Sequence, residues 1–370
     1  MSWHQVVYYY PRVFLVALVG AYLATHLVRW LAVRVGLMDV PDVRKTHRSP
    51  VALGGGVAIY FAFALAVYLT RYYDRPLQGI VLGGFLMLVV GLIDDWRGGI
   101  PATLKFFILV ALTIFLTFPP FNVILNLTKI YVVDAGLTIL WIVGITSAFN
   151  AVDNMDGQAA GLGAIAAGAF ALVALETQNL FMGMLSLGVM GSCLGFLPHN
   201  FSSRGKVFMG DAGSFTLGYL LAAISIIGEW SDSKVVSCTI PVLILAVPIF
   251  DLTYVVLYRY FTGVTSGLRQ ALTHCAQDHL AHRLVALGAT PRQAVLFIYF
   301  IATCLALGGV VLRTNTALLS SSLHVVQALM ILAIVVILMR QSLKNGSRNR
   351  QLESELHRLR RRYGESPPSG

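Results

Sequence analysis

The chain has 370 residues, of which 57% are hydrophobic and only 12% charged. A soluble domain carries about 25% charged residues, so the composition excludes a disordered chain, a collagen and a secreted disulfide scaffold, and points to an integral membrane protein. The net charge of +10, from 27 Lys and Arg against 17 Asp and Glu, then reads first as a signal of membrane sidedness and not of nucleic-acid binding.

A helix needs about 20 apolar residues to cross a bilayer. Eleven stretches qualify, or ten, the fifth being short. The first, Arg12–Val33, lacks a basic leader and an A-x-A cleavage site and reads as a retained anchor. The loop after it runs from Pro41 to Pro50 and carries Asp42, Arg44, Lys45 and His47. Its prolines favour extended chain, and Arg44 and Lys45 suit phosphate oxygens. Gly54-Gly55-Gly56 then opens the second span, Val51–Leu69, and lets backbone approach a partner closely. The alternative is a positive-inside loop with a flexible helix start. The third span, Leu77–Ile93, ends in Asp94-Asp95. Adjacent carboxylates repel, which suits them to bind a divalent cation or to take a proton.

The fourth span is Thr103–Phe118. Phe121–Val133 is too short to span and is expected to form a small hairpin or an interfacial segment. The fifth, Leu137–Phe149, leads into Asn150-Ala151-Val152-Asp153-Asn154-Met155-Asp156-Gly157. On a helix Asn150, Asp153 and Asn154 share one face. With Asp156 they make four hard oxygen donors without a local cation, a set that suits Mg²⁺, unless the segment is only a polar turn. The sixth and seventh spans are Ala159–Leu175 and Leu180–Leu197. The eighth, Ser214–Gly228, follows Phe208-Met209-Gly210-Asp211-Ala212-Gly213. Asp211 falls at a helix start, where free N–H groups suit an anion. It reads as an N-cap, a ligand, or both.

Asp251 lies inside the apolar run of the ninth span, Val235–Tyr258, and needs a partner. Arg259 and Arg269 are candidates, for a structural pair or a catalytic role. His279, His282 and Arg283 follow at i, i+3, i+4, so one helical turn would present all three to a phosphate or a leaving group. Zinc has no Cys or HExxH partner here. The tenth and eleventh spans are Ala294–Leu312 and Ser322–Met339. The chain thus divides into a transmembrane catalytic domain, 1–340, and a basic tail, 341–370. In the tail Leu352, Leu356 and Leu359 sit among arginines. It reads as an amphipathic helix on anionic lipid, a self-associating coil that would make a homodimer, or a disordered segment. The four cysteines are scattered, without a CxxC pair, and read as packing residues.

Eleven spans put the termini on opposite sides. Twenty of the 27 Lys and Arg fall on one side, which the positive-inside rule makes cytoplasmic, with the N-terminus outside and the C-terminus inside. Nine of the 17 acids gather at that same face, from six segments. Ionisable groups near membrane depth are functional by default, so one site opening to the cytoplasm is expected. A cation-coupled transporter is the competing reading. It would hold its acids near mid-bilayer, and no internal repeat supports it.

As a set, the six motifs between residues 36 and 290 resemble the polyprenyl-phosphate N-acetylhexosamine-1-phosphate transferases. That family includes bacterial glycan-initiating enzymes, the peptidoglycan translocase acting on phospho-MurNAc-pentapeptide and the eukaryotic dolichol-phosphate enzyme. The resemblance implies an all-α polytopic enzyme of the bacterial plasma membrane. It would transfer N-acetylhexosamine-1-phosphate, GlcNAc-1-phosphate foremost, from a UDP-sugar to undecaprenyl phosphate with Mg²⁺ (or Mn²⁺), releasing UMP.

By the same resemblance Asn150 and Asp211 are the metal ligands. Asp94 and Asp95 position or deprotonate the lipid phosphate, and Lys45 contacts phosphate, with Arg44 and His47 beside it in the same loop. Asp153 and Asp156 serve the nucleotide or the metal site. His279, His282 and Arg283 contact diphosphate or sugar, and Asn154, Asn200 and Asp251 join the substrate-binding set. The sequence departs from the family at Asn154, where Gly is common, at Gln158, where Leu is common, and at Ala281, which replaces a histidine. The Asn200–Lys206 loop is one residue longer, which bears on sugar choice.

Overall fold

In lipid, backbone polar groups must be satisfied within the chain, and this chain does so almost wholly as helices. The computed structural model describes residues 3–41, 49–71, 74–202, 205–265, 267, 278–314 and 322–342. The helices are α1 (Trp3–Val35), α2 (Gly55–Tyr68), α3 (Arg75–Arg97), α4 (Ala102–Thr117), α5 (Tyr131–Val152), α6 (Gln158–Glu176) and α7 (Leu180–Asn200). They continue as α8 (Gly210–Ile227), α9 (Lys234–Ile244), α10 (Ala246–Phe261), α11 (Leu280–Ala286), α12 (Pro291–Thr314) and α13 (Ser322–Ser342). Among the described residues the only strands are β1 (Met38–Asp39) and β2 (Val51–Ala52), paired antiparallel, with an isolated bridge from Ala52 to Val207.

Among the described residues eight helices are long and apolar enough to cross a membrane: α1, α3, α5, α6, α7, α8, α12 and α13. The protein is thus an all-α polytopic membrane protein. Helices α2 and α4, of 14 and 16 residues, are shorter apolar segments. The expected ninth span, Val235–Tyr258, is not one helix. It breaks at Leu245 into α9 and α10, which meet at 73°. Pro248 lies in the first turn of α10, where its missing N–H is not needed, so the break fits the sequence better than a continuous helix does. Of the small hairpin or interfacial segment expected at 121–133, the hairpin does not form. Helix α5 starts at Tyr131, and Asp134 in its first turn accepts hydrogen bonds from the Thr128 backbone and hydroxyl at 2.8 and 2.9 Å. That carboxylate holds the irregular chain before the helix, and Asp134-Ala135-Gly136 is helical.

Helix α8 lies at the centre of the bundle, with 83% of its membrane window buried, whereas α1 and α13 are peripheral at 22% and 17%. Its flanks meet α3, α5, α2, α6 and α7. Small residues permit this closeness, as in membrane bundles generally. A Cβ on Gly91 of α3 would lie 2.4 Å from the Asp211–Ala212 backbone. The up-and-down order brings the C-terminal ends of α3, α5 and α7 and the N-terminal ends of α4, α6 and α8 to one end of the bundle. The described motif residues lie at that end.

Candidate active site

Lys105, in the first turn of α4, stands between two carboxylates. Its ammonium pairs with Asp94 at the end of α3 and, at 2.7 Å, with Asp211 at the start of α8. Asp94 is 3% exposed and also accepts the Ile100 N–H. Asn150, in the last turn of α5, donates its amide to Asp211 and to Ser214 Oγ, both at 3.0 Å. The structure therefore brings Asp94, Asn150 and Asp211 together, as expected. It adds Lys105, which sequence reasoning counted only as a topology cation.

Asp95 has a different position from its neighbour. Its two carboxylate oxygens accept the N–H groups of Asp211 and Ala212 at 2.9 and 3.1 Å. It thus caps α8 from another helix, and Asp211 is not the N-cap that its place in the sequence suggested. Helix α8 begins at Gly210, whose φ of +73° favours glycine and whose Cβ would stand 2.4 Å from Asp95 Oδ2.

The 153–157 loop is clamped on three sides. Asp156 pairs with Lys206. The Gly157 N–H donates to Asn200 Oδ1, and the Gly157 carbonyl accepts the Tyr299 hydroxyl of α12. Asn200 spends its other amide end on the Val207 carbonyl at 2.9 Å, so both of its polar groups serve backbone. Gly157 has φ +77°, and Phe201 would stand 2.1 Å from a Cβ there. Asn154 donates to the Ala151 carbonyl at 2.9 Å, while its buried Oδ1 has no partner. Burial pushes the Asp153 carboxyl up to about 8, helped by the charges of Asp211, Asp95 and Asp156.

Asp251 does not pair with Arg259. It accepts from His279 Nδ1 at 2.9 Å and from the Leu280 N–H at 2.8 Å, so it caps α11 and orients the histidine. Arg259 instead forms a bidentate pair with Asp278 at 2.6 and 2.8 Å. Arg269 lies outside the described residues. The shared helical face expected for His279, His282 and Arg283 does not form. His279 is the extended cap residue before α11. Arg283 is 4% exposed and turned inward, over Tyr258 and Tyr254 at 4.8 and 5.6 Å. It donates to the carbonyls of Asp278 at 2.6 Å and Met339 at 3.3 Å. Helical spacing fixes a face only within a helix, and here α10 and α13 cover that face. Burial, with His279 next, lowers the pKa of His282, which favours the neutral ring.

Arg44, Lys45 and His47 lie outside the described residues, as does the tail beyond 342. Among the described residues no three His, Cys, Asp or Glu side chains converge on one metal-sized point. The chemistry of the cluster nevertheless fits a hard divalent cation. Its donors are oxygens, and burial, with like charges beside it, holds Asp153 largely protonated at neutral pH.

Residues 77–229 match the family model for glycosyl transferase family 4. A Bacillus subtilis protein named a probable undecaprenyl-phosphate N-acetylglucosaminyl 1-phosphate transferase is 34% identical over 83% of this chain and 86% of its own. The decaprenyl-phosphate N-acetylglucosaminephosphotransferase of Mycolicibacterium smegmatis is 33% identical over 80% of each chain. A Yersinia pestis undecaprenyl-phosphate alpha-N-acetylglucosaminyl 1-phosphate transferase is 25% identical over 77% of this chain and 79% of its own. An all-helical membrane bundle with a carboxylate–lysine cluster at one end is thus a membrane-embedded phosphotransferase. The chain belongs to glycosyl transferase family 4, which sets the transporter reading aside.

Proposed function

We propose that this enzyme transfers N-acetylglucosamine-1-phosphate from UDP-GlcNAc to undecaprenyl phosphate in the bacterial plasma membrane, releasing UMP at a site open to the cytoplasm. The observation that carries this reading is the Lys105 ammonium held between Asp94 and Asp211. A cation set among acids at the end of an apolar bundle suits two phosphates, one arriving from lipid and one from water. The names of the relatives supply the acceptor and the sugar. The excess of cations on the loops of the same end supports the cytoplasmic orientation.

Phosphoryl transfer of this kind depends mainly on positioning and charge neutralisation. An oxygen of the lipid phosphate forms a bond to the β-phosphorus of the UDP-sugar. The bond from that phosphorus to the bridging oxygen breaks, and UMP leaves with that oxygen. The attacking phosphate is already an anion, so Asp94 need only position it and take its residual proton, while Asp95 fixes the start of α8. Lys105 then neutralises charge developing on the transferring group. His279, oriented by Asp251, lies at the start of α11 to donate a hydrogen bond to the diphosphate or sugar, with neutral His282 near it. Asp153, Asn154 and Asp156 face the nucleotide. Asn200, Tyr299 and Lys206 act by fixing the loop that carries them. Arg44, Lys45 and His47 extend the phosphate contacts. Mg²⁺, or Mn²⁺, held by Asp211 and by Asn150 once its amide turns its oxygen inward, would supply Lewis-acid neutralisation of the diphosphate.

The test is to incubate purified protein with undecaprenyl phosphate, Mg²⁺ and UDP-GlcNAc, and to follow UMP. UMP release that depends on the lipid is expected. Its absence with GlcNAc, GalNAc and MurNAc-pentapeptide donors alike would sink the proposal, and release with the last alone would move the enzyme to the peptidoglycan branch.

A further inference from the structure

A second cluster of ionisable side chains lies on the outer face of α1, where it meets the end of α7. Tyr22, His26 and Arg29 fall at i, i+4, i+7 on α1 and form one stripe. His199, next to the last residue of α7, packs its ring edge-on against His26, with centroids 4.4 Å apart, and donates its Nε2–H to the Tyr22 carbonyl at 3.1 Å. The Arg29 guanidinium lies over Gly205, where a Cβ would stand 2.8 Å from Nη1, and is near enough to His199 to act on its charge. Among the described residues no carboxylate pairs with His26, Arg29 or His199. His199 is 8% exposed, whereas His26 and Arg29 are exposed on a helix that is largely lipid-facing.

An ionisable group exposed to lipid is retained only with a polar partner or within reach of the interface. Arg29 lies six residues before the end of α1, about 9 Å along the axis. Trp30, 50% exposed with Arg34 stacked on it at 3.8 Å, marks the headgroup level. Two imidazoles and a guanidinium at that depth, with no carboxylate paired to them among the described residues, form a notch complementary to a phosphate monoanion or diester.

We propose that this notch binds the headgroup phosphate of an anionic phospholipid, of the phosphatidylglycerol type, from the leaflet that faces the catalytic end. Arg29 and a ring N–H of His26 donate to its oxygens, with His199 packed edge-on behind the His26 ring, and its acyl chains run down the seam of α1 and α7. His199 is followed directly by Asn200, which holds the Gly157 loop of the active site, so an occupied notch also steadies that loop.

The experiment equilibrates the full chain with mixed micelles of phosphatidylglycerol and phosphatidylcholine in equal amounts, then counts retained lipids by native mass spectrometry. Wild type is expected to retain phosphatidylglycerol preferentially. The His26→Gln/Arg29→Gln double variant should lose that preference by about five-fold or more, at about 1 kcal/mol per interfacial cation, while Arg29→Lys keeps most of it. Soluble glycerol phosphate should not displace the lipid. Thermal unfolding in detergent free of phospholipid verifies that the variants fold. Equal retention of both lipids by wild type, an unchanged preference in the double variant, or displacement by glycerol phosphate would each overturn the proposal.

Discussion

Lys105 illustrates what a sequence conceals at the scale of one residue. In sequence it is one of two cations in a short loop and a marker of sidedness. In space it is the cation that holds Asp94 and Asp211 together. Asp94, Asp153 and Asp211 were legible because charge is scarce in this chain, so each acid at the end of an apolar run stood out. Lys105 was not, because the positive-inside rule already accounted for it. Lys105→Gln is expected to lower turnover by at least about 10²-fold, the scale of losing one preorganised charge donor, and Lys105→Arg to restore part of it. UMP release under saturating substrate measures both. Asp153 yields a pH prediction. Its folded pKa of about 8 exceeds the usual carboxylate value of about 4, so the folded state binds the extra proton. Its stabilising contribution is complete below about pH 4 and is lost as pH rises through about 8. In metal-free protein the Tm should therefore fall between about pH 4 and 8 and level off above that, and Asp153→Asn should flatten that fall. A variant whose Tm declines as steeply as wild type would show that another group titrates.

Element ends, more than element interiors, make the site. Asp95 caps α8 across a helix–helix contact, so the DD pair divides its work: one carboxylate pairs with a lysine and the other fixes the helix that carries Asp211. No local pattern reveals this, since cap signatures concern residues adjacent in sequence. Asp95→Ala should cost about 0.5–2 kcal/mol of stability as well as activity, and Asp95→Asn should recover much of the stability and little of the activity. Thermal unfolding set beside turnover distinguishes the two. Gly157 lies in a comparable clamp between Asn200 and Tyr299. Tyr299→Phe keeps the ring and removes one hydrogen bond worth about 1 kcal/mol. It is expected to raise KM for the UDP-sugar by about five-fold with little change in kcat. An equal loss in kcat would mean that the loop also moves in the transition state. The break between α9 and α10 was present in sequence as Pro241 and Pro248, but a hydropathy reading averages over prolines and returned one span. The inward turn of Arg283 was not readable, because the spacing of a seven-residue helix does not say which of its faces α10 and α13 cover.

At the scale of the whole molecule, the proposed reaction requires a soluble nucleotide-sugar and a membrane lipid to meet at one point. Alternating helix ends answer this by bringing α3, α5 and α7, which finish there, to α4, α6 and α8, which begin there. Sequence reading recovered this arrangement from two averages, the apolar runs and the one-sided cations, and both survive errors of several residues at each span end. It could not give depth or contact, which depend on how helices distant in sequence pack. The same logic sets an expectation for the tail beyond Ser342. The clamp, the lysine bridge and the Arg283–Met339 contact all lie within residues 94–342, so a chain ending at residue 342 retains every interaction that shapes the described site. It is expected to keep turnover within about two-fold of full length in detergent. If the tail binds anionic lipid, truncation should weaken retention on anionic vesicles by about 1 kcal/mol for each interfacial cation lost. A folded truncation that releases no UMP would instead make the tail part of the catalytic machinery.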